Sequence, residues 1–260
     1  MKYLVKMHIG LFVALILTQS CVSKKHVLYI QDDYEQLPIA LSYDAHNIQI
    51  DDILDIRVST LVAEASAAYN RRSIELPPNT TLDNMKLEGY LVSQDMTINF
   101  PVLGTLTVAN KSLVDLENDI RELLVSNGEL VNPTVTVRLV NSKVTVLGEV
   151  NSPGTFSFTE NSISFLQALG LAGDLTINGN REDVLLIRNI DGILTTKHLN
   201  LTSADWLVGP YERIRPNDVI IVHPNRTKIM SRAFFGNSSS FVSLVSLGIS
   251  TTALIINLSL

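Results

Sequence analysis

The apolar positions in the middle of the chain recur mostly with the period of a strand. Ile48–Val58 (IQIDDILDIRV) reads as a turn followed by a strand, opened by Ile53 and Leu54, with Ile56 and Val58 on one face. Residues 61–88 carry no clear period, and Pro77-Pro78 marks an extended or loop stretch. Tyr90–Val108 predicts a hairpin pair broken by Pro101 and Gly104. The period then changes to that of a helix. Leu113, Leu116, Ile120, Leu123 and Leu124 fall on one side of a helix running from a Ser112 cap to about Ser126. Strand period returns in Pro133–Val140, with Val135 and Val137 on one face.

A second unit starts at Lys143. Val144–Val150 is a strand and Asn151-Ser-Pro-Gly154 a turn, in which Pro153 sets φ and Gly154 is expected to supply a left-handed position. Ser164 caps a short helix bearing Phe165, Leu166, Leu169 and Leu171, which Ala172-Gly173 ends. Asp183–Arg188 and Gly192–Lys197 read as a hairpin, and Ile214–His223 closes the unit. The closing strand echoes the opening strand of the first unit. Asp51-Asp52 and Asn217-Asp218 each place a residue tolerant of the left-handed region, then an aspartate, before a β run. Asp52 and Asp218 are therefore expected to bond turn amides, in a structural role rather than as metal ligands or acids.

The two ends follow neither pattern. Lys2 and Lys6 precede a short apolar run, Ile9–Leu17, and Cys21 follows it with Ser20 before it. The run is too short to span a bilayer and fits a secretory signal. A cysteine at that distance fits lipidation after cleavage; a buried free thiol is the alternative. The Val-Ser-Lys-Lys that follows holds no acidic run, which favours a mature protein facing the periplasm. At the other end Phe241–Leu258 carries no charge. As a helix it would extend roughly 27 Å, near the hydrocarbon thickness of a membrane. Arg226, Lys228 and Arg232 precede it, placed to meet headgroups. Ser239, Ser243, Ser246, Ser250, Ala253 and Asn257 recur in steps of about four and three, a stripe of small or polar residues on one helix face. Such a stripe either packs on neighbouring helices or faces water inside a ring of them. Thr251 and Thr252 fall off it, where a hydroxyl can bond back to the preceding turn. A plain hydrophobic anchor or a buried core helix is the competing reading.

Composition agrees with this division. Mean hydropathy is +0.23 although 18% of the 260 residues are charged, and the apolar excess sits at the ends. A net charge of −6 argues against nucleic-acid binding. A single cysteine excludes an intrachain disulfide framework and a cysteine-rich zinc site. No nucleophile elbow, phosphate-cradling glycine loop or zinc-protease motif occurs, so no enzyme, metal or cofactor is expected. His26, His46, His198 and His223 are scattered and read as surface or strand residues. Trp206 and Tyr211 can stack on a sugar, but core or interface aromatics are the more common outcome.

The ordered motifs resemble those of the outer-membrane polysaccharide export lipoproteins. Residues 42–140 resemble the family's export domain through the strand after Asp52, Ile98–Gly104 (INFPVLG), the 112–126 helix and the Asn132–Val137 strand. Residues 143–223 resemble an SLBB domain through Val144–Gly154 (VTVLGEVNSPG), Ala168-Leu169 and Ala172-Gly173. Asp51, Met96, Asn110 and Asn217 stand where the family carries glycine, and Met96 predicts a different turn at its position. The resemblance implies an α+β chain in six parts: a signal peptide (1–20), a lipidated segment (21–41), the β-rich export domain (42–140), the β-grasp-like SLBB domain (143–223), a linker (224–240) and one transmembrane helix (241–260). Asp52, Gly148, Pro153, Gly154, Gly173 and Asp218 are then structural turn residues. The implied function is a lipid-anchored subunit, held at Cys21, of a ring-shaped outer-membrane translocon for capsular polysaccharide or exopolysaccharide, its globular part in the periplasm. Ser243, Ser246, Ser250 and Asn257 would line the pore. Its partners would be further copies of itself, the polysaccharide, outer-membrane lipid and an inner-membrane copolymerase. A periplasmic saccharide-binding or adaptor lipoprotein, with the tail as a second anchor, is the alternative.

Overall fold

The computed structural model describes residues 27–32, 47–71, 82–190 and 192–229, together with 243, 246–248, 250 and 251. The first unit is built on a three-stranded antiparallel sheet in the order β2 (Tyr90–Leu91), β1 (Ile53–Ser59), β5 (Thr134–Leu139). Alternation decides its two faces. Leu54, Ile56 and Val58 of β1 lie opposite Leu139, Val137 and Val135 of β5 and point into the core, while Asp55 and Arg57 lie opposite Arg138 and Thr136 on the other face. Leu54 thus joins Ile56 and Val58 on one face.

Two short helices occupy the stretch that lacks a sequence period: α1 (Ala63–Ser66), continued by a 3-10 turn at Ala67–Tyr69, and α2 (Leu82–Glu88). Residues 77 and 78 lie outside the described residues. The hairpin of β3 (Thr97–Phe100) and β4 (Gly104–Thr107) follows. Helix α3 (Leu113–Ser126) buries Leu116, Ile120 and Leu124 against the sheet. Each such side chain contributes about 1.5–3 kcal/mol on leaving water. Ser112 starts the helix by accepting a hydrogen bond from the Asp115 amide at 3.2 Å, and the Asp115 carboxylate accepts one from the Ser112 amide at 3.0 Å. The same helix guards the free edge of the sheet, because Glu117 accepts the Val137 amide at 2.8 Å.

Met96 corrects an expectation. It keeps the left-handed conformation a glycine would adopt, at φ 54°, as do Asp51 (67°), Asn110 (58°) and Asn217 (66°). The tight connection demands that conformation: the Met96 amide bonds Ser93 and its carbonyl receives the Val108 amide. The turn is therefore retained and methionine bears its strain.

The second unit is a β-grasp arrangement. A five-stranded sheet runs in the order β10 (Ile193–Leu199), β9 (Gly179–Ile190), β12 (Val219–Pro224), β6 (Lys143–Gly148), β7 (Gly154–Ser157). Only β12 and β6 are parallel neighbours; the other pairings are antiparallel. Helix α4 (Phe165–Leu171) packs Phe165, Ala168 and Leu169 on it, starting from a Ser164–Gln167 capping box. A small pairing of β8 (Ile163–Ser164) with β11 (Arg213–Ile214) flanks the helix.

The expected left-handed position at Gly154 does not occur. Gly154 enters β7 as ordinary strand opposite Val146. The demanding glycine is Gly148, at φ 91°, where an added Cβ would lie 2.0 Å from the Val222 carbonyl oxygen of the neighbouring strand. Parallel β6 and β12 approach so closely there that only hydrogen fits.

Candidate functional site

The paired turns have one construction. The Asp52 carboxylate accepts the Gln49 amide at 2.8 Å, and the Asp218 carboxylate accepts the Arg215 amide at 2.8 Å. In both, the aspartate's own amide returns to the same residue's carbonyl at 3.2 Å. The surroundings differ. Arg188 of β9 donates to both Asp218 oxygens, at 3.0 Å and 2.7 Å, and its remaining donors bond the carbonyls of Pro210 and Arg213. Burial pushes the Asp218 carboxyl above its ordinary value, and Arg188 opposes that shift. Among the described residues no cation bonds Asp52. Burial pushes its carboxyl up to about 6, with the Gln49 amide pulling down and neighbouring Asp51 pushing further up.

The motifs around Gly173 meet in space. The Ser152 amide bonds the Ala172 carbonyl at 2.8 Å, and the Asn151 side chain donates to the Gly173 carbonyl at 2.6 Å. The turn holding exposed Pro153 thus docks on the end of α4, where Gly173 adopts φ 72°.

Residues 174–178 also receive a segment from before the export domain and the chain leaving the SLBB domain. The Tyr29 hydroxyl donates to Asp174, and the Arg181 guanidinium lies 5.3 Å from the Tyr29 ring centre. Burial and the Asp174 bond hold the Tyr29 phenol above its ordinary range. The contact continues as the Ile30 and Gln31 amides bond the Leu201 and Thr202 carbonyls, at 3.0 Å and 2.8 Å. At the exit, the Asn225 amide bonds the Asn178 carbonyl at 2.7 Å and its side chain bonds that of Ile177. Asn225 then caps a helical turn at 226–229, and Lys228 pairs with Glu149.

Of the tail, Ser243, Ser246 and Ser250 are helical and exposed, as is Leu247 at 63%. The Ser246 and Thr251 hydroxyls bond back to the Ser243 and Gly248 carbonyls, both at 3.0 Å. No helix among the described residues is long and apolar enough to cross a membrane. Cys21, Asn257, the signal segment and residues 230–240 of the linker lie outside the described residues, as do His26 and His46.

Trp206 belongs to the core, tilted against Phe165 at 5.7 Å, and is not placed to stack on a ligand. Tyr211 is half-buried between Arg188 and Lys197. His198 and His223, far apart in sequence, both face Asp183 across adjacent strands. Among the described residues, no group of three or more His, Cys, Asp or Glu is placed to hold a metal.

Arg181 and Arg188 are the important residues that motif reading missed. Both are buried on β9, Arg181 in step with Gly179 and Arg188 in step with Val184 and Leu186, the alternation slipping by one residue between 181 and 184. A charged residue on the apolar side of an alternating strand is the signal that identifies such a buried partner.

Known proteins agree with the two units. Residues 42–140 match the polysaccharide biosynthesis/export protein family, and residues 142–222 match the SLBB domain. The EPS I polysaccharide export outer membrane protein EpsA of Ralstonia nicotianae is 33% identical over 109 residues, 39% of this chain and 27% of that protein. The protein of the same name from Ralstonia solanacearum is 26% identical over 137 residues, 52% of this chain and 34% of that protein. The aligned parts thus span between about a quarter and a third of those relatives' length. An export domain joined in order to an SLBB domain places the chain in the polysaccharide export family.

Proposed function

We propose that this chain is a subunit of a ring-shaped outer-membrane translocon. It is lipid-anchored at Cys21, has its globular part in the periplasm, and passes a capsular polysaccharide or exopolysaccharide through an aqueous pore. The convergence of Tyr29 and Asn225 on residues 174–178 carries this reading. Cys21 lies eight residues before Tyr29, a reach of at most about 28 Å. A lipid at Cys21 and a helix after Asn225 therefore draw one end of the SLBB domain to one membrane. The export domain then hangs away from it, toward an inner-membrane copolymerase. Closing a ring requires head-to-tail contacts between copies. The exposed serine face of the tail suits close packing on neighbouring helices or contact with pore water. A hydrated polymer needs a wide wet path and no chemistry, in keeping with the family's transport role.

Imaging of the full chain extracted in mild detergent tests this. A closed ring with an axial channel is expected, whereas a monodisperse monomer would leave the adaptor reading in its place. The lining is tested by Ser243→Cys, Ser246→Cys and Ser250→Cys, which should react with aqueous thiol reagents faster than Val245→Cys and Ile249→Cys.

A further inference from the structure

The outward face of the β1–β5 pair carries a cleft of about 360 Å³ lined by Asp55, Arg57, Met85, Thr136 and Arg138, a size within the range of small-molecule sites. Its floor follows from register. Arg57 lies opposite Thr136 and Asp55 opposite Arg138, so the two arginines are diagonal neighbours on one sheet face. Its wall is α2, which supplies Met85. Gly89, just after that helix, allows the close approach: a Cβ there would lie 2.4 Å from the Ile53 side chain and 3.2 Å from the Leu54 carbonyl oxygen.

The donors are largely uncommitted. Arg57 pairs with Asp55 through Nε alone, at 2.9 Å, which leaves both terminal nitrogens without a partner among the described residues. Exposed Arg138 makes no hydrogen bond or ion pair with them, and Asp55 Oδ1 accepts none. Two guanidinium groups against one carboxylate make this a locally positive spot on a chain of net charge −6.

We propose that this cleft binds an acidic sugar unit of the exported polymer, a uronate. The ligand class rests on the export reading above; the cleft does not. The arginine forks suit a carboxylate. Asp55 Oδ1 and the Thr136 hydroxyl suit sugar hydroxyls, and Met85 suits the C–H face of the ring. An inorganic phosphate dianion fits worse, because it brings twice the charge of a carboxylate toward Asp55 and offers a single hydroxyl donor where a sugar ring offers several. The site lies on the export domain and is separate from the tail.

Calorimetric titration of the full chain in detergent with trigalacturonate tests the assignment. Saturable binding is expected, weakened at least tenfold by Arg138→Gln and by Met85→Glu with the melting temperature unchanged, and absent for neutral maltotriose. No saturable binding by the wild type, or equal binding by Arg138→Gln, would overturn the site. Equal affinity for maltotriose, or equally tight binding of inorganic phosphate, would overturn its assignment to an acidic sugar. A deletion strain that still exports polymer overturns the export reading instead, whatever the cleft binds.

Discussion

Asp52 and Asp218 stand at the heads of β1 and β12 in turns that match bond for bond, yet among the described residues only Asp218 has a cation. In the SLBB domain, Arg188 reaches from β9, the neighbour of β12 in the sheet, to the Asp218 carboxylate and ties down two loop carbonyls as well. In the export domain the corresponding buried carboxylate has, among the described residues, its turn amide alone. The turn geometry is thus a local property, carried by a left-handed residue and an aspartate. The cost of burying the charge is a tertiary property, and the two domains meet it differently.

The largest effect should come from removing the cation. Arg188→Met leaves Asp218 charged and 1% exposed, which should cost about 3–5 kcal/mol. Chemical unfolding at pH 7 measures it, and a loss below about 1 kcal/mol would show that the pair is not what separates the two turns.

Asp52→Asn should act in the opposite direction, by about 2 kcal/mol. The folded carboxyl titrates at about 6 against an ordinary 3.8, which caps the gain at about 3 kcal/mol. The folded state holds the proton over that interval and the unfolded state does not, so the contribution of Asp52 to stability is fully present below about pH 4 and is lost as pH rises through about 6. The variant should remove that fall, gaining stability at pH 7 and nothing at pH 4. Melting temperatures across pH 4–8 decide it.

The smallest effects probe the turns themselves. Asp51→Gly and Asn217→Gly each relieve a left-handed residue, at φ 67° and 66°, for a gain of up to about 1 kcal/mol. Asp51→Gly should gain slightly more, because it also removes a charge beside Asp52. Widely different gains would show that the turns are not equivalent.

Sequence alone determined the elements that rest on near neighbours. Ser112 and Ser164 cap their helices because the capping partner lies three residues on. Val135 and Val137 share a face because strand geometry alternates. The aspartate turns are legible because amide and carboxylate lie within four residues. The tail's serine stripe is legible for the same reason, as a property of helical spacing. Tertiary structure decided whatever depends on distant partners. Gly148 rather than Gly154 is the demanding glycine, because only the approach of β12 crowds it. Met96 holds a left-handed turn because its amide and carbonyl are both bonded across that connection. Arg188 finds Asp218, Tyr29 finds Asp174, and Arg57 and Arg138 come to share a cleft, through pairings that join residues far apart along the chain. Hydrogen bonds between near neighbours are written in a few adjacent side chains, whereas the partner of a buried charge is known only once the strands have been placed in register.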